Sequence, residues 1–229
     1  MFNRIIALFI FVLAFPVILF ASLIIFFQDF KSPIYLQKRV GFNGNYFILY
    51  KIRTMRINHN SPVFLATSMN DERLFKIGKL FRKFKVDELP QFLNVLIGDL
   101  NIIGPRPNII PLLNNYSYEE FQLLKIKPGL TDIASVMLSD LNEKLKDSKN
   151  PDLDYENIYR KKKNSYGLYY IKNNSVGLNF FIFIATIIVI INKNYKNQLI
   201  ERAELLIKIF ISRYVFIQHN LKYHWAGYL

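Results

Sequence analysis

The sequence contains no cysteine, and only three of its 229 residues are histidine. Without cysteine the chain has no disulfide scaffold, no thiolate metal site and no cysteine nucleophile. The histidines, His59, His219 and His224, are too scattered in the sequence to indicate a metal cluster or a Ser-His-Asp triad. Any chemistry must therefore use carboxylates and cations, with or without a hard metal ion.

Acidic residues are also few, with 17 Asp and Glu against 30 Lys and Arg, which gives a formal net charge of +13. Hydrophobic residues nevertheless make up 52% of the chain and aromatic residues 16%, a composition that excludes intrinsic disorder. A chain that is both basic and apolar suggests an anionic partner beside a membrane rather than a soluble nucleic-acid binder. Its length suits one compact domain and does not argue for two.

No charged residue interrupts the sequence from 5 to 27, which is long enough to cross a bilayer as a helix. The segment is too long for a signal peptide, and no A-x-A-like cleavage site follows it. Pro16 lies in its middle, where it removes a backbone hydrogen bond and kinks a helix. Positive residues flank both ends, so charge gives a spanning helix no clear orientation. A simple span is the commoner arrangement, whereas a re-entrant helix that breaks at Pro16 and returns to the same face satisfies both flanks.

The region after this segment contains a predicted hairpin and two predicted helices. Residues 34–53 are two β-prone runs around an Asn-Gly pair at 43–44, the strongest short hairpin signal. Residues 71–86 have apolar side chains at helical spacing among cations, which indicates either a basic amphipathic helix or an ordinary surface helix. We expect a second helix from Asp87 to Leu96, followed by an irregular loop rich in glycine and proline.

The C-terminal half has three segments of different character. Residues 139–165 are polar and charged, typical of solvated helix and loop. Residues 180–191 are strongly apolar but too short to span comfortably, which favours a buried or membrane-dipping helix. The tail from Tyr195 suits an amphipathic helix, either on a bilayer surface or docked on the core. We therefore predict a mainly α fold with a small β-hairpin and amphipathic interfacial helices. Its predicted divisions are a membrane segment at 1–30, a catalytic domain at 31–194 and a tail at 195–229.

The densest group of reactive side chains surrounds the adjacent carboxylates Asp87 and Glu88. Two carboxylates among cations suit phosphoryl chemistry, because one can attack phosphorus while the other holds Mg²⁺. A helix beginning at Asp87 would also direct free backbone N–H groups at an anion. Asp is, however, a favoured helix N-cap and Glu suits a first helical turn, so the pair alone is weak evidence.

Several motifs follow one another along the chain and carry more information than any single pair. They are, in order, the apolar segment with its central proline, Gln37-x-Arg39-x-Gly41-x-x-Gly44 with Lys51-x-Arg53-Thr54-Met55, Asp87-Glu88-Leu89-Pro90-Gln91 with Gly98-Asp99-Leu100, Gly104-Pro105-Arg106-Pro107, and Lys127-Pro128-Gly129-Leu130-Thr131. This series closely resembles the small monotopic phosphoglycosyl transferases, the bacterial sugar transferases that start lipid-linked glycan assembly. The resemblance covers about residues 1–190 and not the tail.

The resemblance implies a two-step, ping-pong reaction at the cytoplasmic face of the bacterial inner membrane. Asp87 matches the family's nucleophile, which attacks the sugar-linked phosphate of a nucleoside diphosphate sugar, with a UDP-sugar as the expected donor. The nucleoside monophosphate leaves, and polyprenyl (undecaprenyl) phosphate then takes the phosphosugar from Asp87. Glu88 matches the family's Mg²⁺ ligand, so the implied cofactor is Mg²⁺.

The resemblance also implies a set of substrate-binding residues: Lys51, Arg53, Arg82, Pro105, Arg106 and Pro107. Arg82 and Arg106 match arginines near the family's active site, where planar bidentate contacts to phosphate are apt. Lys51 and Arg53 are weaker candidates, because each is equally compatible with ordinary surface charge. The two prolines flank Arg106 in a rigid turn.

The first segment matches the family's re-entrant membrane helix, with Pro16 at its break. The chain departs from the family pattern at Phe15, where Ser usually precedes that proline. It also has Asp132 after the Pro-Gly-Leu-Thr motif where many relatives have Gly, and Gly167 and Asn179 at positions usually held by Asp. The last three departures fall away from the Asp-Glu pair, so they concern sugar specificity and packing rather than reaction class.

Two functions of other classes remain as alternatives to the enzyme. A non-catalytic membrane scaffold for glycan assembly would leave Asp87 and Glu88 dispensable. A membrane-anchored nucleic-acid binder is compatible with the net charge, but no DNA- or RNA-binding motif is present, so we expect no nucleic-acid partner.

Overall fold

The computed structural model describes residues 2–57 and 70–191. The predicted fold class is confirmed, because helices predominate and the main sheet is one small antiparallel hairpin. The predicted amphipathic tail at 195–229 lies outside the described residues.

Eight α-helices and four strands form the described part of the chain. They are α1 (Phe2–Asp29), β1 (Ile34–Val40), β2 (Tyr46–Ile52), α2 (Lys76–Lys83), α3 (Gln91–Ile97), β3 (Asn101–Ile103), β4 (Gly129–Thr131), α4 (Ile133–Met137), α5 (Leu141–Lys144), α6 (Pro151–Asp154), α7 (Lys161–Asn173) and α8 (Val176–Ile191). Short 3₁₀ turns lie at Phe42–Gly44, Val86–Glu88, Ile110–Asn115 and Glu120–Lys125. A π-helical stretch, Tyr155–Arg160, joins α6 to α7.

Helix α1 is the one described helix that is long and apolar enough to cross a membrane. It runs without interruption from Phe2 to Asp29, with Pro16 inside it. A proline removes one backbone hydrogen bond and can bend a helix without ending it, so the expected break at Pro16 is not an interruption of helical structure. Large apolar side chains along the middle of α1 are exposed, including Phe9, Leu13 and Phe20.

Both ends of α1 bind to the same folded body. Near the N-terminus, the Arg4 guanidinium donates to the carbonyl of Ile97, with an Nη2–O distance of 3.2 Å. At the other end, Asp29 forms a salt bridge of 2.6 Å with Arg53 just after β2. Between these contacts Ala7, Ala21 and Ile25 are buried in the hydrophobic core, so one face of α1 packs on that body.

The hairpin forms where the sequence predicted it. Strand β1 pairs antiparallel with β2 from Ile34 opposite Ile52 to Val40 opposite Tyr46. The Asn-Gly pair at 43–44 forms the connection, and both residues have positive φ, 55° and 78°. Asn and Gly tolerate this left-handed conformation best, which explains why the pair predicts the turn.

The helices around the two carboxylates begin and end elsewhere than predicted. The expected helix over 71–86 is limited to α2, Lys76–Lys83. The prediction of a helix starting at Asp87 is wrong, because Asp87 lies in the 3₁₀ turn Val86–Glu88 and α3 begins only after Pro90. Proline fixes its own φ and has no N–H, so it favours a helix that starts beside it over one that runs through it.

A short parallel pair, β3 and β4, was not predicted from the sequence. It joins Asn101 to Gly129 and Ile103 to Thr131. The backbones approach so closely that a Cβ on Gly129 would lie 2.1 Å from the Gly104 nitrogen. This contact requires glycine and fixes the start of the Gly104-Pro105-Arg106-Pro107 loop.

The segment 139–165 is more buried than its polar composition predicted. Tyr155, Arg160 and Asn164 are all buried, on the continuous helical run formed by α6, the π-helical stretch and α7. Arg160 is held by Glu120 and Glu156, at N–O distances of 3.1 and 2.7 Å. A buried ion pair accounts for this cationic side chain being internal.

Helix α8 covers the apolar segment that was predicted to be buried or membrane-dipping. Ile182 and Ala185 are buried against the body, whereas Val176, Phe180 and Ile191 are largely exposed. An exposed apolar face of this kind suits contact with lipid.

Candidate active site

The local backbone around Asp87 is tightly constrained. Lys85, two residues earlier, has φ of 57° in the left-handed region, which is costly for a side chain with a Cβ. The 3₁₀ turn that follows is closed by a hydrogen bond from the Glu88 N–H to the Lys85 carbonyl. This bend separates α2 from α3 and directs the neighbouring carboxylates into different environments.

The Asp87 carboxylate is buried and incompletely bonded. Its residue is only 5% exposed, and its Oδ1 atom has no hydrogen-bond partner. Burial raises the pKa of Asp87 above its ordinary value, while the Lys51 charge opposes that rise and the Glu88 charge adds to it. A desolvated carboxylate oxygen without a hydrogen-bond partner suits a nucleophile, which a substrate must uncover to reach.

The Glu88 carboxylate has the opposite environment. Its Oε1 atom lies 2.6 Å from Arg106 Nη2, 3.4 Å from Lys51 Nζ and 3.7 Å from Lys85 Nζ. Burial alone would raise the pKa of Glu88, but the charges of Arg106, Lys85 and Lys51 outweigh burial and hold that pKa well below its ordinary value. Glu88 is therefore a permanent anion surrounded by cations.

Arg82 and Lys51 come together with the carboxylates, as the motifs implied. Helix α2 carries Arg82, whose Nε atom donates to the Thr54 hydroxyl at 2.8 Å. Burial lowers the pKa of Arg82, and the nearby Asp87 charge is the largest opposing influence. Burial likewise lowers the pKa of Lys51 to about 8, against the charge of Glu88. Both cations are therefore close enough to the carboxylates for their charges to interact.

Arg53 does not belong to this group, which corrects its prediction as a substrate-binding residue. It is 4% exposed, and its two Nη atoms each donate to Asp29 at 2.6 Å. Its Nε atom donates to the carbonyl of Ser32, also at 2.6 Å. With its donors used in this way, Arg53 anchors the end of α1 rather than binding a phosphate.

Arg106 is held from several sides in the loop after β3. Its backbone N–H donates to the Asp132 carboxylate at 2.9 Å, and its Nη1 atom donates to the Leu130 carbonyl at 2.8 Å. The remaining terminal nitrogen reaches Glu88. Pro105 and Pro107 flank Arg106, and all three residues line a small cavity that opens to solvent.

Sequence reasoning missed several residues of this region. Lys163 and Asn108 line the cavity, and Arg39 contributes a positive charge close to Arg106. Arg39 stood in a family motif without a role, and Lys163 stood in a polar run that was predicted to be solvated. The sequence did not indicate that Arg39 or Lys163 is buried, because a cation on the surface and a cation beside a cavity have the same sequence pattern.

The residues present fit an Mg²⁺ ion only as a partial site. No group of three or more Asp, Glu or His side chains with metal-binding geometry occurs in residues 2–57 and 70–191. Mg²⁺ commonly takes one or two carboxylates and obtains its other ligands from water and substrate phosphates. Glu88 fits that requirement as a single ionised carboxylate beside a substrate-binding region.

The bacterial sugar transferase family model matches residues 1–193 of the chain. A UDP-N-acetylgalactosamine-undecaprenyl-phosphate N-acetylgalactosaminephosphotransferase of Aeromonas hydrophila is 32% identical over 175 residues, which are 75% of this chain and 38% of that protein. A UDP-glucose:undecaprenyl-phosphate glucose-1-phosphate transferase of Escherichia coli K12 is 33% identical over 147 residues, 61% of this chain and 32% of that protein. The galactosyl transferase CpsE of Streptococcus agalactiae is 38% identical over 120 residues, 48% of this chain and 27% of that protein.

The chain therefore matches about a quarter to two fifths of the length of these three relatives. The family match, by contrast, includes α1, the hairpin, the two carboxylates and the Arg106 loop. Because the family model covers most of the sequence, this chain belongs to the bacterial sugar transferase family.

Proposed function

We propose that this chain is a phosphoglycosyl transferase that moves a sugar-1-phosphate from a nucleoside diphosphate sugar to polyprenyl phosphate. The observation that carries the proposal is the pair of adjacent carboxylates with opposed environments. Asp87 is buried with an unpaired oxygen, and Glu88 is ionised within reach of three cations. The names of two relatives specify a UDP-sugar and undecaprenyl phosphate, so these are the proposed substrates.

In the first proposed step, the free Asp87 oxygen attacks the phosphorus of the sugar-linked phosphate. A bond forms between that oxygen and phosphorus, and the bond from phosphorus to the bridging oxygen of the diphosphate breaks. The nucleoside monophosphate leaves with the electron pair, and a phosphosugar remains on Asp87. Arg82 and Arg106 are placed to offset negative charge on the phosphate oxygens.

In the second proposed step, a phosphate oxygen of the polyprenyl phosphate attacks the phosphorus held by Asp87. The bond from phosphorus to the Asp87 oxygen breaks, which restores the carboxylate and releases polyprenyl-diphospho-sugar. The product is the first lipid-linked intermediate of a glycan such as an O-antigen, capsule, exopolysaccharide or glycoprotein glycan. One group thus receives and returns the phosphosugar, which requires ping-pong kinetics.

The proposed membrane arrangement is monotopic, with α1 entering and leaving on the cytoplasmic face of the bacterial inner membrane. Support comes from the contacts of Arg4 and Asp29, which tie the two ends of α1 to one body. The exposed apolar side chains of α1 and α8 would then contact lipid. This placement lets the acceptor's prenyl chain stay in the bilayer while its phosphate reaches Asp87.

Glu88 is the proposed ligand for Mg²⁺, which supplies positive charge to the diphosphate when bound. The chain's own cations act in the same direction, because Lys51, Lys85 and Arg106 already surround that carboxylate. We nevertheless expect Mg²⁺ to be required for turnover, because the diphosphate brings more negative charge than the donor-site cations face without it.

The test uses purified protein in nanodiscs with Mg²⁺, undecaprenyl phosphate and a panel of UDP-sugars, and measures UMP release. We expect release to require the lipid for full turnover and to disappear in Asp87→Asn. A phosphosugar adduct on Asp87, detected by intact-protein mass spectrometry without acceptor, would identify the intermediate directly. Release of UDP instead of UMP would contradict the proposal, since it would indicate an ordinary glycosyl transferase.

The non-catalytic scaffold gives a separate outcome. It predicts that Asp87→Asn and Glu88→Gln still support glycan assembly in cells, whereas the enzyme predicts that assembly stops. Normal glycan in cells carrying only Asp87→Asn would therefore favour the scaffold.

A further inference from the structure

The cavity beside Arg106 receives positive charge from Lys163 and Arg39, two cations that the proposed mechanism does not use. Arg106 and Lys163 line it, and the charge of Arg39 acts on both. The negative group among its lining residues is Asp132. Asp132 is already engaged, because it accepts from the N–H and the hydroxyl of Ser135 and from the N–H of Arg106.

Neither Lys163 nor Arg39 has a carboxylate partner within the described ranges. The ammonium group of Lys163 donates to the side-chain oxygen of Asn108. Arg39 donates to the side-chain oxygen of Gln37 at 2.7 Å and to the Pro107 carbonyl at 3.1 Å. These neutral acceptors orient the two cations but do not neutralise them.

Burial makes this arrangement electrostatically unfavourable in the absence of an anion. Burial, with the positive charges of Arg39 and Arg106 acting in the same direction, lowers the pKa of Lys163 to about 7. Burial also lowers the pKa of Arg39 to about 10, with Arg106 acting in the same direction. An anion bound between these groups would relieve both the desolvation and the mutual repulsion.

The acceptor that orients Lys163 is itself fixed. The Asn108 amide donates to Asn164 at 3.2 Å and also to the Tyr116 hydroxyl. Asn164 in turn donates to Glu120 at 2.8 Å, and Glu120 is held by Arg160. This chain of buried hydrogen bonds holds Lys163 at the cavity before any ligand arrives.

We propose that this cavity is a subsite for an oxyanion of the nucleotide-sugar donor, bound by Lys163 next to Arg106, with Arg39 adding positive charge from close by. The inference rests on the proposed function, because it assigns a part of the donor to a place beside the Asp87–Glu88 pair. Two groups carry the required chemistry. One is the phosphate that leaves with the nucleoside, and the other is a carboxylate on an acidic sugar.

The experiment measures binding of UMP to the full chain in nanodiscs by calorimetry, with native protein, Lys163→Met and Lys161→Met. Lys161 is a matched control, because it is an exposed lysine two residues away on the same helix. If the oxyanion is the nucleoside phosphate, Lys163→Met weakens UMP binding about tenfold, the effect of one charge-assisted hydrogen bond. Lys161→Met leaves it within about twofold of native.

A second arm compares UDP-glucuronic acid with UDP-glucose as competitors for UMP. If the oxyanion is a sugar carboxylate, native protein binds the acidic donor more tightly and Lys163→Met loses that preference, with UMP binding unchanged. Arg39→Gln is the second variant, and we expect it to change the same ligand as Lys163→Met.

The inference is overturned if Lys163→Met and Arg39→Gln match Lys161→Met for every ligand while native protein binds UMP and turns over a donor. That result leaves the proposed function intact. If native protein neither binds UMP nor releases it from any UDP-sugar in the panel, the proposed function fails and the subsite fails with it.

Discussion

Asp87 and Glu88 are adjacent in sequence, yet their carboxylates differ in burial, bonding and charge. The 3₁₀ turn places Asp87 in a desolvated position and leaves Glu88 Oε1 among Arg106, Lys51 and Lys85. Environments that move two acidic pKa values apart commonly give two carboxylates different roles. Asp87, which has the unpaired oxygen, is suited to forming a bond, and the ionised Glu88 is suited to binding cations.

Arg160 gives a prediction at the residue scale. Arg160→Met removes the cation that Glu120 and Glu156 share, which leaves buried negative charge without compensation. We expect a loss of about 3–5 kcal/mol in the free energy of unfolding. Thermal unfolding in detergent measures it, with Lys146→Met as an exposed lysine control. A change equal to that of the control would mean that the ion pair contributes nothing.

Lys163 gives a second prediction, in which the substitution stabilises the protein instead of destabilising it. Because burial lowers its pKa to about 7 from 10.5, the unfolded chain binds more protons than the folded one between these pH values. The free energy of unfolding therefore rises as the pH increases from about 7 towards 10.5. Below pH 7 Lys163 is charged in both states, and the whole destabilisation by its buried charge is present. Arg39 and Arg106 oppose protonation there, Asp132 favours it, and Tyr116 also faces the cavity.

Lys163→Met should accordingly raise the Tm at pH 6 by several degrees, on the scale of about 2–4 °C per kcal/mol, and by less at pH 9. Differential scanning calorimetry at the two pH values measures the difference between native and variant. A stabilisation that is larger at pH 9 than at pH 6 would contradict the pKa shift.

Individual site residues could be predicted only where a motif specified them. Asp87, Glu88, Arg82, Lys51 and Arg106 do come together in the structure. Arg53 came from the same motif as Lys51 but binds Asp29, a partner from the end of α1 that the local sequence does not indicate. The sequence gave no signal for the burial of Lys163, since its neighbours come from positions 39, 106 and 108.

At the scale of elements, α2 is placed by a contact that only glycine permits. A Cβ on Gly78 would lie 2.4 Å from the backbone oxygen of Thr54. Thr54 also accepts the hydrogen bond from Arg82, so the same contact places an arginine of the active site. The spacing between α2 and the end of β2 therefore sets the position of that guanidinium.

Gly78→Ala should push α2 away from Thr54 and displace Arg82. We expect a loss of about 1–3 kcal/mol in stability and a fall of at least about tenfold in turnover. Gly177→Ala is the matched control, because nothing lies within 4 Å of a Cβ built there. UMP release and thermal unfolding measure both effects, and equal behaviour of the two variants would refute this placement.

Elements that depend on neighbouring residues could be predicted from the sequence, whereas elements that depend on distant contacts could not. The hairpin follows from an Asn-Gly pair between two adjacent β-prone runs, and the structure confirms it. Strands β3 and β4 have three residues each and lie 25 residues apart, so no local pattern signals their pairing. The helix predicted from Asp87 was displaced by Pro90 and by the left-handed Lys85, two local effects that outweighed the helical spacing.

At the scale of the whole molecule, α1 packs one face against the rest of the described chain and exposes the other, with Ala7, Ala21 and Ile25 buried on the packed face. Arg4 and Asp29 make the end contacts, while Leu13 is 63% exposed among other apolar side chains. Exposed apolar surface of this length is stable only in contact with lipid or protein. Within residues 2–57 and 70–191, α1 therefore contributes to the core with one face and offers an apolar surface with the other.

Single cysteines test the proposed re-entrant arrangement without background, because the native chain has none. We expect Asn3→Cys and Lys31→Cys to react with a water-soluble maleimide from the cytoplasmic side only. Leu13→Cys should stay unreactive until the membrane is dissolved. Reaction of positions 3 and 31 from opposite sides would refute the re-entrant arrangement and establish a span.

The bond between Arg4 and the Ile97 carbonyl joins the beginning of α1 to the end of α3. Helix α3 has seven residues, about 10 Å of rise, and it begins four positions after Asp87. The carboxylate that we propose receives the phosphosugar is thus linked to the start of the apolar helix α1 through one short helix. An acceptor confined to the same bilayer meets it by lateral diffusion in two dimensions. Turnover should consequently follow the number of polyprenyl phosphates per unit area of membrane, and dilution with inert lipid should slow it at constant bulk concentration.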